Sequence, residues 1–155
     1  MRKRVLRSLL VAVLMVMGGL SGATSAYAAS NCVVGPGVTQ TATTVTGSGW
    51  NDTIDCTSAD PGKTINGNGG NDTITGTAFD DTITGGDGND TITGGVGDDA
   101  LRGDLGMDTL NGSAGNDTLS GPDVDFAVDT LNGGDGTDTC GPVGVPPDIR
   151  SSCES

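Results

Sequence analysis

Large aliphatic residues recur at a fixed interval through the middle of the chain. Seven of them lie nine residues apart, at Ile65, Ile74, Ile83, Ile92, Leu101, Leu110 and Leu119. Most have polar neighbours, as in Thr91-Ile92-Thr93. Because side chains alternate along a strand, the pattern predicts three-residue strands with one aliphatic directed inward and its neighbours outward. Equal spacing over so many units indicates a repeat architecture, with two nine-residue units to each coil.

The segments between these strands are turns rich in glycine. Their form is Gly-Gly-x-Gly-x-Asp, which residues 85–90 follow completely. Glycine reaches positive φ and leaves turn carbonyls exposed. Asn68 replaces a glycine tolerably because asparagine also reaches positive φ, whereas Phe79 should give the weakest turn. The glycines predicted to offer backbone carbonyls as ligands are Gly85, Gly86, Gly88, Gly94, Gly95, Gly97, Gly133, Gly134 and Gly136.

An aspartate ends each turn, two residues before the aliphatic position. A return to the same edge every eighteen residues stacks alternate aspartates in two columns, one containing Asp72 and the other Asp81. A degenerate copy at 47–54 adds Asp52 to the first column, and Lys63 takes the aspartate position below Asp81. The full series, with a three-residue insertion after the sixth member, is Asp72, Asp81, Asp90, Asp99, Asp108, Asp117, Asp129 and Asp138.

Stacked carboxylates of this kind favour a cation between them. Successive coils lie about 4.8 Å apart, and carboxylates at that distance repel each other. Calcium takes six to eight oxygens from carboxylates and backbone carbonyls. The sequence therefore predicts calcium sites made by aspartates of two successive coils and by turn carbonyls. Adjacent pairs along both columns set an upper limit of about six ions.

The repeat resembles the calcium-binding nonapeptide repeats of the RTX (haemolysin-type) family over about residues 62–140. The glycine positions, the aspartate column and the period all agree with that family. The resemblance implies an all-β fold, a parallel β-roll or β-solenoid that binds calcium in its turns. Members often carry such repeats beside an enzymatic or toxin domain and are exported by a C-terminal signal. For this chain the sequence predicts instead an N-terminal signal and no accompanying enzymatic or toxin domain.

Composition and charge indicate that the repeats need a cation to fold. Without the leader described below, three basic residues remain against 19 Asp and a single Glu, a formal charge of −17. High net charge with few aliphatic residues is typical of a disordered chain. We therefore expect residues 47–140 to be largely disordered without calcium and to form the solenoid with it. The charge excludes nucleic acid as a partner. The absence of histidine excludes nucleophile systems that depend on histidine and metal sites that have histidine ligands. No enzyme is therefore predicted.

Residues 1–28 have the three parts of a secretory signal peptide. Residues 1–7 are basic, residues 9–17 are apolar, and Ala26-Tyr27-Ala28 offers a cleavage site. A membrane anchor is the alternative, but the apolar run is shorter than the roughly 20 residues of a span. A lipoprotein anchor would use Cys32, with Asn31 where a small residue is expected. The sequence thus predicts a secreted protein without integral membrane association.

The four cysteines lie outside the central repeats, two near each end. Three pairings are open, and we predict the local ones, Cys32–Cys56 and Cys140–Cys153. The first bond would hold an N-terminal cap at 29–61, which includes the degenerate copy. The second would draw a tail at 141–155 over the last coil of the repeat region at 62–140. Caps are expected because an open coil end exposes an unpaired edge.

Other interpretations of the same residues remain open. Asn-Asp-Thr triplets match the glycosylation acceptor, although repeat turns explain them as well. Neighbouring acids such as Asp80 and Asp81 could be paired catalytic carboxylates, but no pocket-forming domain accompanies them. Outward threonines resemble the Thr-x-Thr arrays of ice-binding solenoids, which makes a surface- or ice-binding solenoid the alternative function. The ranks in question are Thr73/Thr75, Thr91/Thr93 and Thr109/Asn111.

Overall fold

The computed structural model describes residues 31–121, 126–141 and 147–154, and their regular structure is entirely β. Each strand of the repeat region begins just after an aspartate of the two columns or at the equivalent position. The strands in these ranges are β1 (Val33–Val34), β2 (Thr39–Gln40), β3 (Thr44–Thr46), β4 (Thr53–Asp55), β5 (Thr64–Gly69), β6 (Thr73–Thr75), β7 (Thr82–Asp87), β8 (Thr91–Val96), β9 (Ala100–Leu105), β10 (Thr109–Ala114), β11 (Thr118–Ser120), β12 (Thr130–Asp135), β13 (Thr139–Cys140) and β14 (Ile149–Ser151).

The strands form two sheets that face each other across a narrow interior. One sheet has the order β1-β4-β6-β8-β10-β12-β14 and the other β13-β11-β9-β7-β5-β3-β2. Strands one coil apart pair in parallel and in register, so Thr91 lies opposite Thr73 and Thr109. Across the insertion the offset becomes 21 residues, with Thr109 opposite Thr130, and the register is kept. The predicted parallel β-solenoid with two units per coil is confirmed.

The strands differ from the prediction in length. Several, including β7 and β8, span six residues instead of three. The extra residues belong to the turn, because consecutive turns also bond to each other through the backbone. The N–H of Gly88 donates to the carbonyl of Leu105 at 2.7 Å, for example. Each turn is therefore held directly against the turn of the next coil.

The core is a double file of aliphatic side chains, as the nine-residue pattern predicted. Each coil contributes one side chain from each sheet, and Ile83 and Ile92 have no solvent exposure. In the register of the strands, each inward residue packs on its equivalent one coil away. The two files are Ile54, Ile74, Ile92, Leu110 and Leu131 in one sheet, and Val45, Ile65, Ile83, Leu101 and Leu119 in the other.

Antiparallel strands close the N-terminal end. Strand β1 pairs antiparallel with β4, and β2 pairs antiparallel with β3. The predicted disulfide Cys32–Cys56 is present, and both of its cysteines are buried. The segment from Val33 to Thr46 forms three short strands, of which β1 lies at the edge of one sheet and β2 at the edge of the other.

A further coil closes the C-terminal end. Strand β14 pairs in parallel with β12 and so prolongs its sheet. Arg150 lies opposite Leu131, at the inward position, and its guanidinium donates to the carbonyl of Gly141. The predicted disulfide Cys140–Cys153 is also present. The tail thus adds strand pairing to the last coil as well as covering it.

The predicted signal peptide, residues 1–28, lies outside the described residues. Within the part of the chain that the structure describes, no helix is long and apolar enough to cross a membrane.

Candidate metal centre

The aspartates of the turns stack in the two predicted columns. The aspartates of the repeat are buried, and from Asp72 and Asp99 onward the Oδ1 of each accepts a hydrogen bond from the backbone N–H of the aspartate one coil earlier. The N–H of Asp72 donates to Asp90 Oδ1 at 2.7 Å, and that of Asp90 donates to Asp108 Oδ1 at 2.8 Å. The second column has the same link from Asp99 to Asp117. This ladder brings together Asp52, Asp72, Asp90, Asp108, Asp129 and Asp148 on one edge, and Asp81, Asp99, Asp117 and Asp138 on the other.

The other carboxylate oxygen has a different environment. In most turns Oδ2 is buried and meets no hydrogen-bond donor among the described residues. A charged oxygen that has lost its water without gaining a donor costs at least about 1–3 kcal/mol. An oxygen in that situation favours a proton or a cation beside it. The aspartates of the two columns with such an oxygen include Asp72, Asp90, Asp99, Asp117 and Asp138.

A backbone carbonyl of the next coil lies close to each of these oxygens. A Cβ placed on Gly85 would stand 2.3 Å from Asp90 Oδ2 and 2.9 Å from the carbonyl oxygen of Gly103. The same arrangement surrounds Gly94, with Asp99 Oδ2 at 2.3 Å and the carbonyl of Gly112 at 2.9 Å. The first glycine of the turn is therefore required, since a side chain would fill the space where the two oxygens converge. Carboxylate and carbonyl oxygens are the ligands that calcium prefers.

The turns reach positive φ at their second and fourth positions. Gly86 has a φ of 117° and Gly88 a φ of 130°. Asn68 takes the second position of its turn at 76°, so the expected tolerance for asparagine is confirmed. Asp104 and Ser113 do the same at 71° and 87°. The glycines singled out in the sequence therefore lie in the turns, and their role as carbonyl ligands stays a prediction.

Two turns are closed by a hydroxyl group, a feature that the sequence analysis missed. Ser48 donates to Asp52 Oδ2 from its backbone N–H at 2.6 Å and from its hydroxyl at 3.0 Å. Thr77 donates its N–H to Asp81 Oδ2 at 2.5 Å and its hydroxyl to Asp81 Oδ1 at 3.2 Å. In these two turns, protein groups donate to the aspartate Oδ2 atom, which has no hydrogen-bond donor in most other turns. The Phe79 turn, predicted to be the weakest, is held by these bonds. The signal was Ser or Thr at the second position together with an aromatic residue, Trp50 or Phe79, at the fourth, because Ser113 with a glycine at the fourth position does not close its turn in this way.

Lys63 continues the second column below Asp81, as its position in the repeat predicted. Its backbone N–H donates to Asp81 Oδ1 at 2.5 Å. Its side chain is buried, and Nζ donates to the carbonyl of Ala42 at 2.7 Å. An ammonium group thus bonds to a carbonyl of the coil below, at the edge where the other coils carry a carboxylate.

An outer ladder of amide and carboxylate side chains runs beside part of each column, one residue earlier in the turn, and stops where Met107 and Thr137 take this position. Asn71 accepts a hydrogen bond from the N–H of Asn89, which in turn accepts one from the N–H of Met107. On the other edge, Asp80 accepts from the N–H of Asp98 at 3.0 Å. The sequence analysis did not identify these ladders, although Asn or Asp recurs there with the same period. Asp80 consequently belongs to the outer ladder and Asp81 to the aspartate column.

Burial raises the pKa of several column aspartates. Desolvation is the largest cause, and it raises the pKa of Asp72 to about 6 and that of Asp99 to about 7, from 3.8. Neighbouring aspartates raise both further, and the backbone hydrogen bond to Oδ1 opposes the shift. Desolvation likewise raises the pKa of Asp90 and Asp117. The folded coil therefore favours either a proton or a cation at these carboxylates.

Acid should consequently promote folding when calcium is absent. A carboxyl whose pKa is raised by folding stabilises the fold fully below 3.8, and this contribution is lost as pH rises through the folded-state values near 6 and 7. In chelator, far-ultraviolet circular dichroism should show more β structure at pH 5 than at pH 8. Equal spectra at the two pH values would contradict this expectation.

The RTX calcium-binding nonapeptide repeat matches in four copies, over residues 66–101, 102–121 and 128–140. The chain carries RTX calcium-binding nonapeptide repeats. A search of curated proteins and a search of solved structures each found no significant match.

RTX repeats bind calcium, and the donor set described above fits that ion. In the described residues, no group of three or more acidic, cysteine or histidine side chains is placed to hold a metal ion. Calcium also accepts backbone carbonyl oxygens as ligands, and the glycines leave those of the turns accessible. The break between the second and third matched segments coincides with the insertion after β11.

Proposed function

We propose that this protein is a secreted, non-catalytic calcium-binding β-roll whose ions form part of its fold. The observation that carries the proposal is the buried Oδ2 atom without a donor that recurs along both aspartate columns. Each such oxygen faces a carbonyl of the next coil across the space beside a glycine. Calcium supplies the positive charge that lets these oxygens approach one another, and it joins one coil to the next.

The proposed carboxylate ligands are the eight aspartates of the two columns, and glycine carbonyls of the same turns complete the set. Asp72, Asp90, Asp99, Asp117 and Asp138 have the strongest support, because their second oxygen has no donor in the described structure. Asp81 has the weakest, since protein donors bond to both of its oxygens. The number of ions is thus at most about six along the repeat columns.

Secretion is supported by the form of residues 1–28 and by two disulfides, which persist in oxidising compartments. We assign residues 29–61 to the N-terminal cap, 62–140 to the calcium-binding roll and 141–155 to the C-terminal cap. The lack of histidine and the burial of the column carboxylates support a non-catalytic role. A calcium titration of the oxidised mature chain, which lacks residues 1–28, tests the proposal. Folding is monitored by circular dichroism, and magnesium is the control.

A rank of threonines supports surface or ice binding as a second candidate function. Five threonines lie in register at the strand starts of one sheet, which is two more than the sequence analysis identified. In the other sheet, Ala100 interrupts the equivalent rank. The five are Thr53, Thr73, Thr91, Thr109 and Thr130.

This second function predicts thermal hysteresis in the calcium-loaded protein. The variant Thr91→Lys, in the middle of the uninterrupted rank, should abolish it. Thr82→Lys, on the other sheet, is the matched control and should retain it. A calcium-loaded wild-type protein without hysteresis would contradict ice binding.

A further inference from the structure

The end of the second aspartate column has a feature that lies outside the repeat. Asp138 is the last aspartate of this column, with 1% of its surface exposed. Its Oδ2 has no hydrogen-bond donor among the described residues, although no further repeat follows it. This oxygen lies between its own coil and the tail, as Asp117 Oδ2 lies between its coil and that of Asp138. An ion shared by Asp117 and Asp138 would leave Asp138 Oδ2 without a counterion.

The tail supplies the missing half of a site. A Cβ on Gly133 would stand 2.4 Å from Asp138 Oδ2 and 2.0 Å from the carbonyl oxygen of Ser152. One coil earlier, the same point beside Gly112 has Asp117 Oδ2 at 2.2 Å and the carbonyl of Gly133 at 2.5 Å. Ser152 therefore presents its carbonyl where a repeat would present that of its first glycine.

Glu154 supplies a carboxylate at the position that a column aspartate would take. The N–H of Asp138 donates to Glu154 Oε2, just as the N–H of Asp117 donates to Asp138 Oδ1. The backbone of Glu154 pairs with Thr139, one position after the aspartates in the repeat register. Its carboxylate must therefore reach back by one residue, which the additional methylene of glutamate allows. It is the only glutamate of the chain.

We propose that Asp138, Glu154 and the carbonyl of Ser152 form a terminal calcium site, in addition to those between the repeats. The site rests on the proposed calcium-binding function of the columns. Calcium suits it because every ligand is a carboxylate or carbonyl oxygen. Arg150 lies nearby, but its guanidinium donates to the carbonyl of Gly141. Cys153 stands between Ser152 and Glu154, so an ion at this site holds the Cys140–Cys153 disulfide against the last coil.

Native mass spectrometry of the oxidised mature chain counts the bound calcium ions. Glu154→Gln keeps an oxygen that accepts the Asp138 N–H but removes the charge, and it should bind one ion fewer than the wild type. Glu154→Asp keeps the charge but shortens the reach, and it should also lose one ion. The control Asp55→Asn removes an exposed acid near the other end and should bind the wild-type number.

The outcomes separate this site from the proposed function. A wild type that binds no calcium overturns both. A wild type that binds calcium, with Glu154→Gln binding the same number of ions, overturns the terminal site alone. If Glu154→Asp also binds the wild-type number of ions, the longer side chain of glutamate is not needed. That outcome overturns the site, because its geometry depends on this reach.

The two disulfides give an independent measurement within one molecule. At free calcium ten times the Kd of the site, reduction of Cys140–Cys153 by dithiothreitol should become about tenfold slower than in magnesium, if reduction requires the tail to open. In Glu154→Gln, the same calcium concentration should leave that rate close to its magnesium value. Cys32–Cys56 is the internal reference, since its rate should be equal in the wild type and in Glu154→Gln. Equal protection of Cys140–Cys153 in both proteins would overturn the site even if the variant loses overall stability.

Discussion

In chelator at pH 7.5, the oxidised mature protein is expected to give the circular dichroism spectrum of a largely disordered chain, and millimolar calcium should convert it to β structure. The reason is the balance between burial and charge. Each nine-residue unit buries one large aliphatic side chain, such as Ile83 or Ile92. That area is small beside the conformational entropy of nine ordered residues. In addition, folding stacks carboxylates in two columns and removes their water, which the raised pKa of Asp99 reflects.

Calcium reverses the electrostatic part of this balance, because its positive charge offsets the repulsion between the stacked carboxylates. The unfolded chain has no preformed site, so the free energy of calcium binding contributes directly to the free energy of folding. Magnesium is the control, since it is smaller, requires octahedral geometry and gives up its water reluctantly. It should produce little β structure at the same concentration. A spectrum already folded in chelator would show that disulfides and packing suffice. A chain that stays disordered in millimolar calcium would contradict the proposed function.

The variant Asp99→Asn should have opposite effects with and without calcium. Asp99 lies in the middle of its column with 2% of its surface exposed, and desolvation raises its pKa to about 7. Without calcium, removing this charge should favour the folded state by about 1–3 kcal/mol, the usual cost of a buried polar group without a partner. With calcium at 100 times Kd, loss of one ion should destabilise the protein by about 2.7 kcal/mol.

Two measurements show the change of sign. In chelator, the midpoint of acid-induced folding should move to higher pH in Asp99→Asn than in the wild type. In calcium, its urea midpoint should fall. Asp98→Asn is the matched control, because it removes the same charge one residue earlier, from an exposed side chain of the outer ladder. Destabilisation by Asp99→Asn under both conditions would show that the carboxylate is needed for packing rather than for an ion.

The nine-residue spacing was sufficient to predict the coil and the column members within the repeats, whereas Asp148, which extends the first column from the tail, was not predicted. Ile83 and Ile92 are buried, and Asp90 and Asp99 stack with their equivalents eighteen residues away, as expected. A strand with a period of two and a turn of fixed length leave only one register that buries every aliphatic residue. The insertion after β11 did not disturb this register, because extra residues in a turn leave the strand alternation unchanged.

The hydroxyl-closed turns could not be predicted with the same rules. Ser48 and Thr77 occupy a position where the repeat pattern has a glycine. Each nevertheless donates to the aspartate Oδ2 atom, which lacks a donor in most other turns. That substitution depends on the backbone path of the turn, which places the second residue within reach of the aspartate four positions later. Sequence spacing gives the separation of these residues along the chain but not the direction of an N–H or hydroxyl group.

The sequence by itself determined the solenoid, its two aliphatic files and the two aspartate columns of its repeats, because each follows from spacing along the chain. It left three cysteine pairings open, of which the structure has the local one. Only the tertiary structure decided which carboxylate oxygen lacks a donor and how the ends close. Glu154 shows the physical reason. It lies outside the repeat and one position late in register, so its place at the end of a column becomes evident only when the tail pairs with the last coil.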